Sequence, residues 1–231
     1  MGSKSWVSVA VAAVLAVTWS AAVPLVAAAD VGAEPTSTEV SCPTVIAGDP
    51  LNCTGSVTGT NTNTPPPDGD VVTFAFDRGG LADAQCVLDN GSCTVTVVPG
   101  SAAEGLLTVT ATYPGGAAYD ASSTSTSVDV LQPTRLVAKP AIANLISPTK
   151  VNLAMSARLS DAVDDTPLAG ETVYFWASNS GFCEAITDAF GVATCSSITD
   201  AVDASLGYHV RYAPSVSYRL GSTTTGSGVR I

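Results

Sequence analysis

The sequence predicts an all-β protein made of two similar modules in tandem. Two stretches about 100 residues apart share one pattern, in which glycine and an acidic residue precede Val-x-Phe and a hairpin with two cysteines; these stretches are Gly69–Cys93 and Gly170–Cys195. Thr, Ser, Val, Ala and Gly dominate the composition, which is typical of short β-strands joined by turns. Helix is expected only in the first 29 residues, and the 231-residue chain is expected to form two small cores.

Residues 1–29 have the pattern of a secretory signal peptide. Lys4 supplies the charged start, Val7–Val17 the apolar segment, and Ala27–Ala29 a cleavage site of small residues. Cleavage would leave Asp30 at the N-terminus. The alternative is an uncleaved anchor, since apolar residues continue to Val26. With the signal removed, no membrane span is expected, and the protein is expected to be secreted or to reside at the cell surface.

The charge balance excludes two classes of partner. The chain has 9 Lys and Arg against 20 Asp and Glu, a net charge of −11. Nucleic acids and anionic membrane surfaces both require clustered basic residues. Neither is therefore expected as a partner.

All six cysteines follow the predicted cleavage site, and an even number in an exported chain indicates disulfides. The single histidine and the lack of a Cys-x2-Cys spacing provide no zinc site, and no metal or cofactor is expected. Residue counting across three expected turns gives the pairs, because directly opposed strand residues lie near the Cα separation that a disulfide needs. A turn at Asp89–Asn90 places Cys86 opposite Cys93, a loop at Asp188–Phe190 places Cys183 opposite Cys195, and a turn at Ala47–Gly48 places Cys42 opposite Cys53.

Alternating apolar and polar residues predict the strands of both modules. In the first, Leu107 to Tyr113 alternates with three threonines, and 59–70, with three consecutive prolines, is a loop. In the second, Val151 to Leu159 predicts a long strand. About seven short strands per module is the number expected of an immunoglobulin-like sandwich. The predicted organisation is a signal peptide (1–29), a first domain (36–131) and a second domain (133–231), joined stiffly at Pro133.

Both modules resemble bacterial Ig-like repeat domains, which occur in tandem on exported and surface proteins and in invasin-type adhesins. The first module carries the Gly-x-Val-x-Phe strand and the Ala-x-Tyr…Tyr-x-x-Ser-Ser ending of one repeat type, at Gly69, Val72, Phe74, Ala111, Tyr113, Tyr119, Ser122 and Ser123. The second carries the motif of the invasin-like type, at Pro167, Ala169, Gly170, Val173, Phe175, Thr187, Asp188, Gly191 and Ala193. The resemblance implies a scaffold of core and turn residues. Neither module shows an antibody-like cysteine pair that bridges the two sheets with a tryptophan between them.

Few residues are candidates for chemistry. His209 is the only possible histidine base, and strand alternation places it outward. The acidic turn with Asp161, Asp164 and Asp165 would bind a calcium ion only if several of its oxygens converged on one point. A calcium site and an ordinary solvated turn therefore both stay open. Trp176 is interpreted as a core residue, with a sugar-binding platform as the alternative. No common catalytic or nucleotide-binding motif is present, so an enzyme is not expected.

Two classes of function stay open. The first is a structural spacer or adhesion module without catalysis, and the second is a carbohydrate-binding or accessory module that works beside an extracellular enzyme. The possible partners are a cell-surface protein or a polysaccharide. Binding is expected from parts that the modules do not share, namely the 59–70 loop, the 179–181 loop and the acidic turn. An exposed aromatic strip would favour carbohydrate binding.

Overall fold

The computed structural model describes residues 32–177 and 180–227. The chain divides into two units, Met1–Gly32 and Ala33–Ile231, and all elements below belong to the second unit. The predicted signal peptide lies outside the described residues. Within the two described ranges, no helix is long and apolar enough to cross a membrane.

The first module consists of two packed β-sheets. One sheet has the strand order β1-β3-β6 and the other the order β2-β8-β7-β4-β5, with β2 parallel to β8. The strands are β1 (Thr36–Ser41), β2 (Val45–Ile46), β3 (Leu51–Gly59), β4 (Val71–Phe76), β5 (Ala84–Val87), β6 (Ser92–Val97), β7 (Gly105–Tyr113) and β8 (Ser122–Leu131). A short 3₁₀ helix, Ser101–Ala103, precedes β7.

The second module repeats this arrangement. One sheet has the order β10-β11-β14, with β9 also paired to β11, and the other has the order β13-β12-β15-β16. The elements are β9 (Thr134–Ala138), β10 (Ile142–Ser147), β11 (Lys150–Asp161), β12 (Thr172–Ala177), β13 (Ser180–Ile186), β14 (Val192–Asp200), α1 (Ala201–Ser205), β15 (Tyr208–Tyr212) and β16 (Ser222–Gly226). The fold is therefore all-β and immunoglobulin-like, as the sequence predicts.

Each module has its own hydrophobic core, and the two cores share no residue. The alternation predicted from the sequence fills them: Leu107, Val109, Ala111 and Tyr113 on β7 are all fully buried, as are Leu153, Ala157 and Leu159 on β11. Each of the Leu and Val side chains contributes about 1.5–3 kcal/mol when it leaves water. Two details differ from the sequence prediction, because α1 forms a short helix outside residues 1–29 and the strand β10 was not expected.

The disulfides join the predicted pairs, but two of them have a different geometry from the one expected. Cys42 and Cys53 extend the register of β1 and β3 within one sheet, with a Cα separation of 4.4 Å, which is typical of a narrow antiparallel pair. The other two, Cys86–Cys93 and Cys183–Cys195, connect strands of opposite sheets. Both modules thus have a disulfide that bridges their sheets, but it lies at an edge and no tryptophan of the described residues packs against it. Neither disulfide is therefore of the antibody type.

The two cross-sheet disulfides lie at equivalent edges of the sandwiches. The strands β5 and β6 are edge strands of their sheets, and so are β13 and β14. The Cα separations of 5.7 Å and 6.4 Å are shorter than the usual spacing of about 10 Å between sheets. Both disulfides therefore close a sandwich at an edge, where the sheets converge.

The turns before these second cysteines lie one residue later than expected. Asp89 and Ser92 exchange backbone hydrogen bonds of 2.9 Å and 3.2 Å across Asn90–Gly91. Both turn residues have positive φ, 50° and 77°, which a tight turn of the mirror-image type requires and which Asn-Gly adopts readily. The chain then continues in the opposite sheet, so the predicted hairpins are wrong although the cysteine pairs agree.

The joint between the modules is a hydrogen-bonded structure. The Gln132 backbone donates to the Tyr218 carbonyl over 2.7 Å and accepts from Leu220 N over 2.9 Å, which forms a parallel bridge to Arg219. The Gln132 side chain donates to the buried Asp161 carboxylate. The connecting segment is therefore part of the second module, and little backbone remains free to swing.

Arg219 links the two modules directly. Its guanidinium contacts Glu104 of the first module, with Nε 3.1 Å from Oε1, and Glu171 of the second. Nε also donates to the Gln132 side-chain oxygen over 3.0 Å. Burial alone would lower the pKa of Arg219, but the two carboxylates raise it above its ordinary value. The joint therefore holds a permanent cation between two anions that are both largely buried.

Candidate functional site

Five side chains form a largely aromatic outer face on the second module, in which three are exposed and Tyr174 and Trp176 are partly buried. The face lies on the outer side of the sheet β13-β12-β15-β16 and consists of Phe182, Tyr174, Trp176, His209 and Arg211. Strand alternation produces it, because Val173, Phe175 and Ala177 on β12 point into the core. We use the term aromatic face for these five residues below.

The rings of the aromatic face form two nearly parallel pairs. The Tyr174 and Phe182 centroids are 6.1 Å apart at an interplanar angle of 24°. Those of Trp176 and His209 are 5.5 Å apart at 21°. Phe182 has 64% of its surface exposed. Rings supported by their neighbours have little conformational freedom to lose when a ligand binds.

Two surface grooves meet at Trp176 and Arg211. The first has a volume of about 330 Å³ and is also lined by Tyr174 and Phe182. The second has a volume of about 760 Å³ and continues past Pro214 towards β16. None of the residues that the structure describes forms an ion pair with Arg211. The guanidinium is therefore available to a ligand in either groove.

The prediction that Trp176 is a core residue is wrong. Trp176 directly follows Phe175, and adjacent residues of a strand point to opposite faces. Phe175 is fully buried against Tyr208, whereas Trp176 is half-buried on the outer face. An exposed aromatic strip, which the sequence analysis names as favouring carbohydrate binding, is thus present in part, because Phe182 is exposed while Tyr174 and Trp176 are partly buried.

The first module has no such face. The positions equivalent to Tyr174 and Trp176 on β4 are Thr73 and Ala75, and their partners on β7 are Thr112 and Thr110. These side chains are small, and Thr110 donates to or accepts from Ser125 over 2.8 Å. The two modules therefore share a scaffold and differ in the chemistry of one outer face.

His209 lies outward, as the sequence predicts, and its ring stacks on Trp176. Within residues 32–177 and 180–227, no hydrogen bond joins it to a carboxylate, and its strand partners are Trp176 and Thr225. A general base usually needs such an orienting group and a nucleophile beside it. The structure thus places His209 in an aromatic surface.

The acidic turn does not bring its carboxylates together. Asp161 is buried and accepts from Gln132 and from Val163 N; Asp164 accepts from Thr166 N over 2.9 Å. Asp165 pairs with Arg158, 3.0 Å away. That hydrogen-bonded partner lowers the pKa of Asp165, and the Thr166 amide lowers the pKa of Asp164. No group of three potential ligands exists in the described part of the chain, so its geometry does not favour calcium.

The other two predicted binding segments are not free loops. In 59–70, the Glu34 carboxylate accepts from Asn61 N and Thr62 N over 2.8 Å and 3.0 Å. Desolvation alone would raise the pKa of Glu34, but the hydrogen bonds from Thr62 and Asn61 lower it below its ordinary value. Pro66 is buried. Of the 179–181 loop, Asn179 lies outside the described residues, and Ser180 begins β13. The described residues of the 59–70 segment therefore offer no preformed site comparable to the aromatic face, and the prediction for 179–181 lies partly outside the described residues.

A buried tyrosine pairs with a carboxylate at the same place in each module. Tyr113 donates to Asp70 Oδ2 over 2.6 Å, and Tyr212 donates to Glu171 Oε2 over 2.9 Å. These carboxylates are the acidic residues that follow glycine in the repeated motif, a role that sequence analysis missed. Burial and the adjacent carboxylate raise the pKa of Tyr113, and they raise the pKa of Tyr212 to about 12.

The tyrosine–carboxylate pairs should make the protein sensitive to alkali. A tyrosine titrates near pH 10 when unfolded, so folding favours the neutral form of Tyr212, whose folded pKa is about 12. Its contribution to stability is complete below about pH 10 and is lost as the pH rises towards 12. Urea unfolding at about pH 8 and pH 11 should show this loss, and Tyr212→Phe should reduce it. An equal loss in the variant would contradict the assignment.

The fold and the family matches define the class of protein. Two sandwiches with antiparallel sheets, each closed by a cross-sheet disulfide, are those of an immunoglobulin-like protein. Residues 31–131, less than half of the chain, match the family model of the bacterial Ig-like domain (group 3), so the first module is similar to that family. The match covers the first module only, so the invasin-like assignment of the second module stays a prediction. No curated protein matches the chain.

Solved structures with a similar fold include parts of adhesins. A tetra-tandem repeat from the extending region of a large adhesion protein is 16% identical, with 84% of this chain and 49% of that chain covered and a TM-score of 0.39. The D0-D1 domain of intimin is 15% identical, with 83% and 99% covered and a TM-score of 0.34. A 1.5-MDa bacterial ice-binding adhesin is 16% identical, with 85% and 66% covered and a TM-score of 0.30. At these values, none of the likenesses indicates what the chain binds.

Proposed function

We propose that the chain is an exported, non-catalytic adhesion or spacer protein in which two Ig-like modules, residues 36–131 and 133–231, have a fixed relative orientation. The observation that carries the proposal is the joint, where Arg219 contacts carboxylates of both modules and Gln132 is bonded into the second. Export is supported by three disulfides, which persist in oxidising compartments, and by the predicted signal peptide at 1–29.

The joint makes a spacer plausible on physical grounds. A flexible linker lets two modules reorient freely, whereas a proline, a strand bridge and a partly buried ion pair across the joint restrict them. Exposed ion pairs contribute little, but Glu104 and Glu171 are only 23% and 15% exposed at the side chain. Removing the shared cation would leave two carboxylates facing each other, so the orientation depends on Arg219.

Residual dipolar couplings test the fixed orientation. In the wild-type chain, amides of both modules should fit one alignment tensor. Arg219→Ala should produce two tensors of different magnitude, because the modules then reorient separately. The matched control is Lys150→Ala, which removes a half-exposed pair with Asp200 inside the second module and should leave one tensor. Two different alignment tensors in the wild-type chain would contradict the proposal that the modules have a fixed relative orientation.

The second candidate function, carbohydrate binding, is favoured by one observation, the aromatic face. It is compatible with the first, because a spacer can carry a binding surface on one module. The bacterial Ig-like family to which the first module is similar supplies the scaffold for either role.

A further inference from the structure

We infer that the aromatic face of the second module binds a polysaccharide by stacking pyranose rings on Trp176 and Tyr174 while Arg211 and Glu184 hydrogen-bond their hydroxyl groups. The inference goes beyond the spacer role and does not depend on the joint. It concerns residues of β12, β13, β15 and β16 alone, so the two can fail separately.

The strand register arranges apolar and polar groups in rows that suit a sugar. Tyr174 lies between Glu184 on β13 and Arg211 on β15, and the row continues to Thr223 on β16. The Tyr174 ring is thus flanked by the Glu184 carboxylate, an acceptor, on one side and by the Arg211 guanidinium, a donor, on the other. Neighbouring strands are about 4.8 Å apart, so these groups lie within reach of one bound ring.

The second row differs from the first on β13, where an aromatic ring takes the place of the carboxylate. Trp176 lies between Phe182 on β13 and His209 on β15, and Thr225 follows on β16. The two rows are two residues apart on β12, which is about 7 Å. Two adjacent sugar rings of one chain can therefore occupy the two rows at once.

Pyranose chemistry matches this surface better than other ligands do. The C–H groups of a sugar ring carry partial positive charge and pack on the electron-rich face of an aromatic ring, while the hydroxyls at its edge need donors and acceptors. Arg211 lines both grooves and has no ion-pair partner among the residues that the structure describes. Its guanidinium can donate hydrogen bonds to the hydroxyl groups of a neutral glycan or to the carboxylate of a uronate.

Other occupants fit less well. A peptide strand can be added only at a sheet edge, at β13 or β16, where it would lie beside the aromatic face and not on it, because β12 and β15 are paired on both sides. Nucleic acid requires a basic surface, and the chain has a net charge of −11. The same charge makes two copies of the chain repel each other. A dimer through the aromatic face is nevertheless measurable and is an outcome of the test below.

Tryptophan fluorescence provides a direct measurement. The chain has three tryptophans, Trp6, Trp19 and Trp176. The variant used is the full chain with Trp6→Phe and Trp19→Phe. Trp176 is then the only tryptophan, whether or not residues 1–29 are removed. Titration with cellohexaose, chitohexaose and polygalacturonate should give a saturable change in its emission with at least one of them. Neutral and acidic sugars are thereby distinguished.

Variants separate binding from folding. In the wild-type chain background, calorimetric binding of the active glycan should weaken at least tenfold in Tyr174→Ala and in Trp176→Ala, which is about 1.4 kcal/mol. Arg211→Gln keeps the aliphatic packing and should weaken a uronate more than a neutral glycan. Thr73→Ala and Thr110→Ala, at the equivalent face of the first module, should leave binding unchanged. Each variant should retain the wild-type near-ultraviolet circular dichroism, except that Trp176→Ala and Tyr174→Ala lose their own ring signals.

Three results would overturn the inference. They are the absence of binding to all three glycans, binding that is unchanged in Trp176→Ala and Tyr174→Ala, and a concentration-dependent dimer that Trp176→Ala dissolves. The last result would assign the face to a second copy of the chain. None of these results affects the expected dipolar couplings. The glycan-binding inference can therefore be wrong while the spacer proposal holds, and the spacer proposal can be wrong while the glycan-binding inference holds.

Discussion

Phe175→Ala should lower the free energy of unfolding of the second module by about 3–5 kcal/mol. Phe175 is fully buried, and its ring lies 6.3 Å from that of Tyr208 at an interplanar angle of 26°. Truncation removes the buried ring and leaves a cavity that the two sheets cannot close. The expected fall in melting temperature is more than about 10 °C, because a domain of this size loses about 4–8 °C per kcal/mol.

Calorimetry of the whole chain measures this effect and tests the two cores together. The transition of the second module should move while that of the first stays in place. Phe74→Ala, at the equivalent buried position, should produce the reverse. Phe190→Ala is the matched control in the second module, since Phe190 is 74% exposed and its loss should change stability by less than about 0.5 kcal/mol. A single transition that moves as a whole in both core variants would show one cooperative unit.

Replacing Cys183 and Cys195 with alanine should cost the second module about 2–5 kcal/mol. The disulfide closes a loop with a sequence separation of 12, for which loop entropy alone gives roughly 3 kcal/mol. It also joins the edge strands β13 and β14, which belong to different sheets and share no strand pairing. Its removal should therefore loosen that edge as well as destabilise the module.

Hydrogen exchange locates this loosening. Amides of β13 should exchange faster in the double alanine variant than in the wild-type chain. Removing Cys42–Cys53 is the comparison, because that pair has a similar separation of 11 but lies within one sheet, where the β1–β3 ladder still holds both strands. Protection of β1 should then persist. Equal loss of protection at β1 and β13 would contradict the distinction between cross-sheet and within-sheet disulfides.

The sequence predicts the central strands well, because a half-buried strand has a strict period of two. The alternation on β7 and β11 therefore identifies the core residues directly. The strand β10 escapes this reasoning, since its large apolar residues Ile142, Leu145 and Ile146 are all exposed and only Ala143 is buried. The helix α1 has five residues, too few for a periodic signal.

The cysteine pairs could be predicted, but their geometry could not. Residue counting assumes a turn at Asp89–Asn90, whereas counting from the observed turn at Asn90–Gly91 would place Leu88 opposite Cys93. The pairs agree because each cysteine is bonded to its nearest cysteine in the chain, and counting cannot show whether β6 pairs with β5 or enters the other sheet. That choice depends on the packing of both sheets. The aromatic face could have been found from the sequence, because Trp176 is adjacent to the core residue Phe175 and alternation alone places it outward.

The disulfides also limit how far the chain can lengthen under mechanical load. A surface protein that tethers two objects transmits tension through its backbone, and each fully extended residue adds up to about 3.3–3.6 Å. Residues between paired cysteines cannot extend while the bond is intact, so Cys183–Cys195, with a separation of 12, withholds roughly 40 Å. Each module thus contains a reserve of contour length that only a reductant releases.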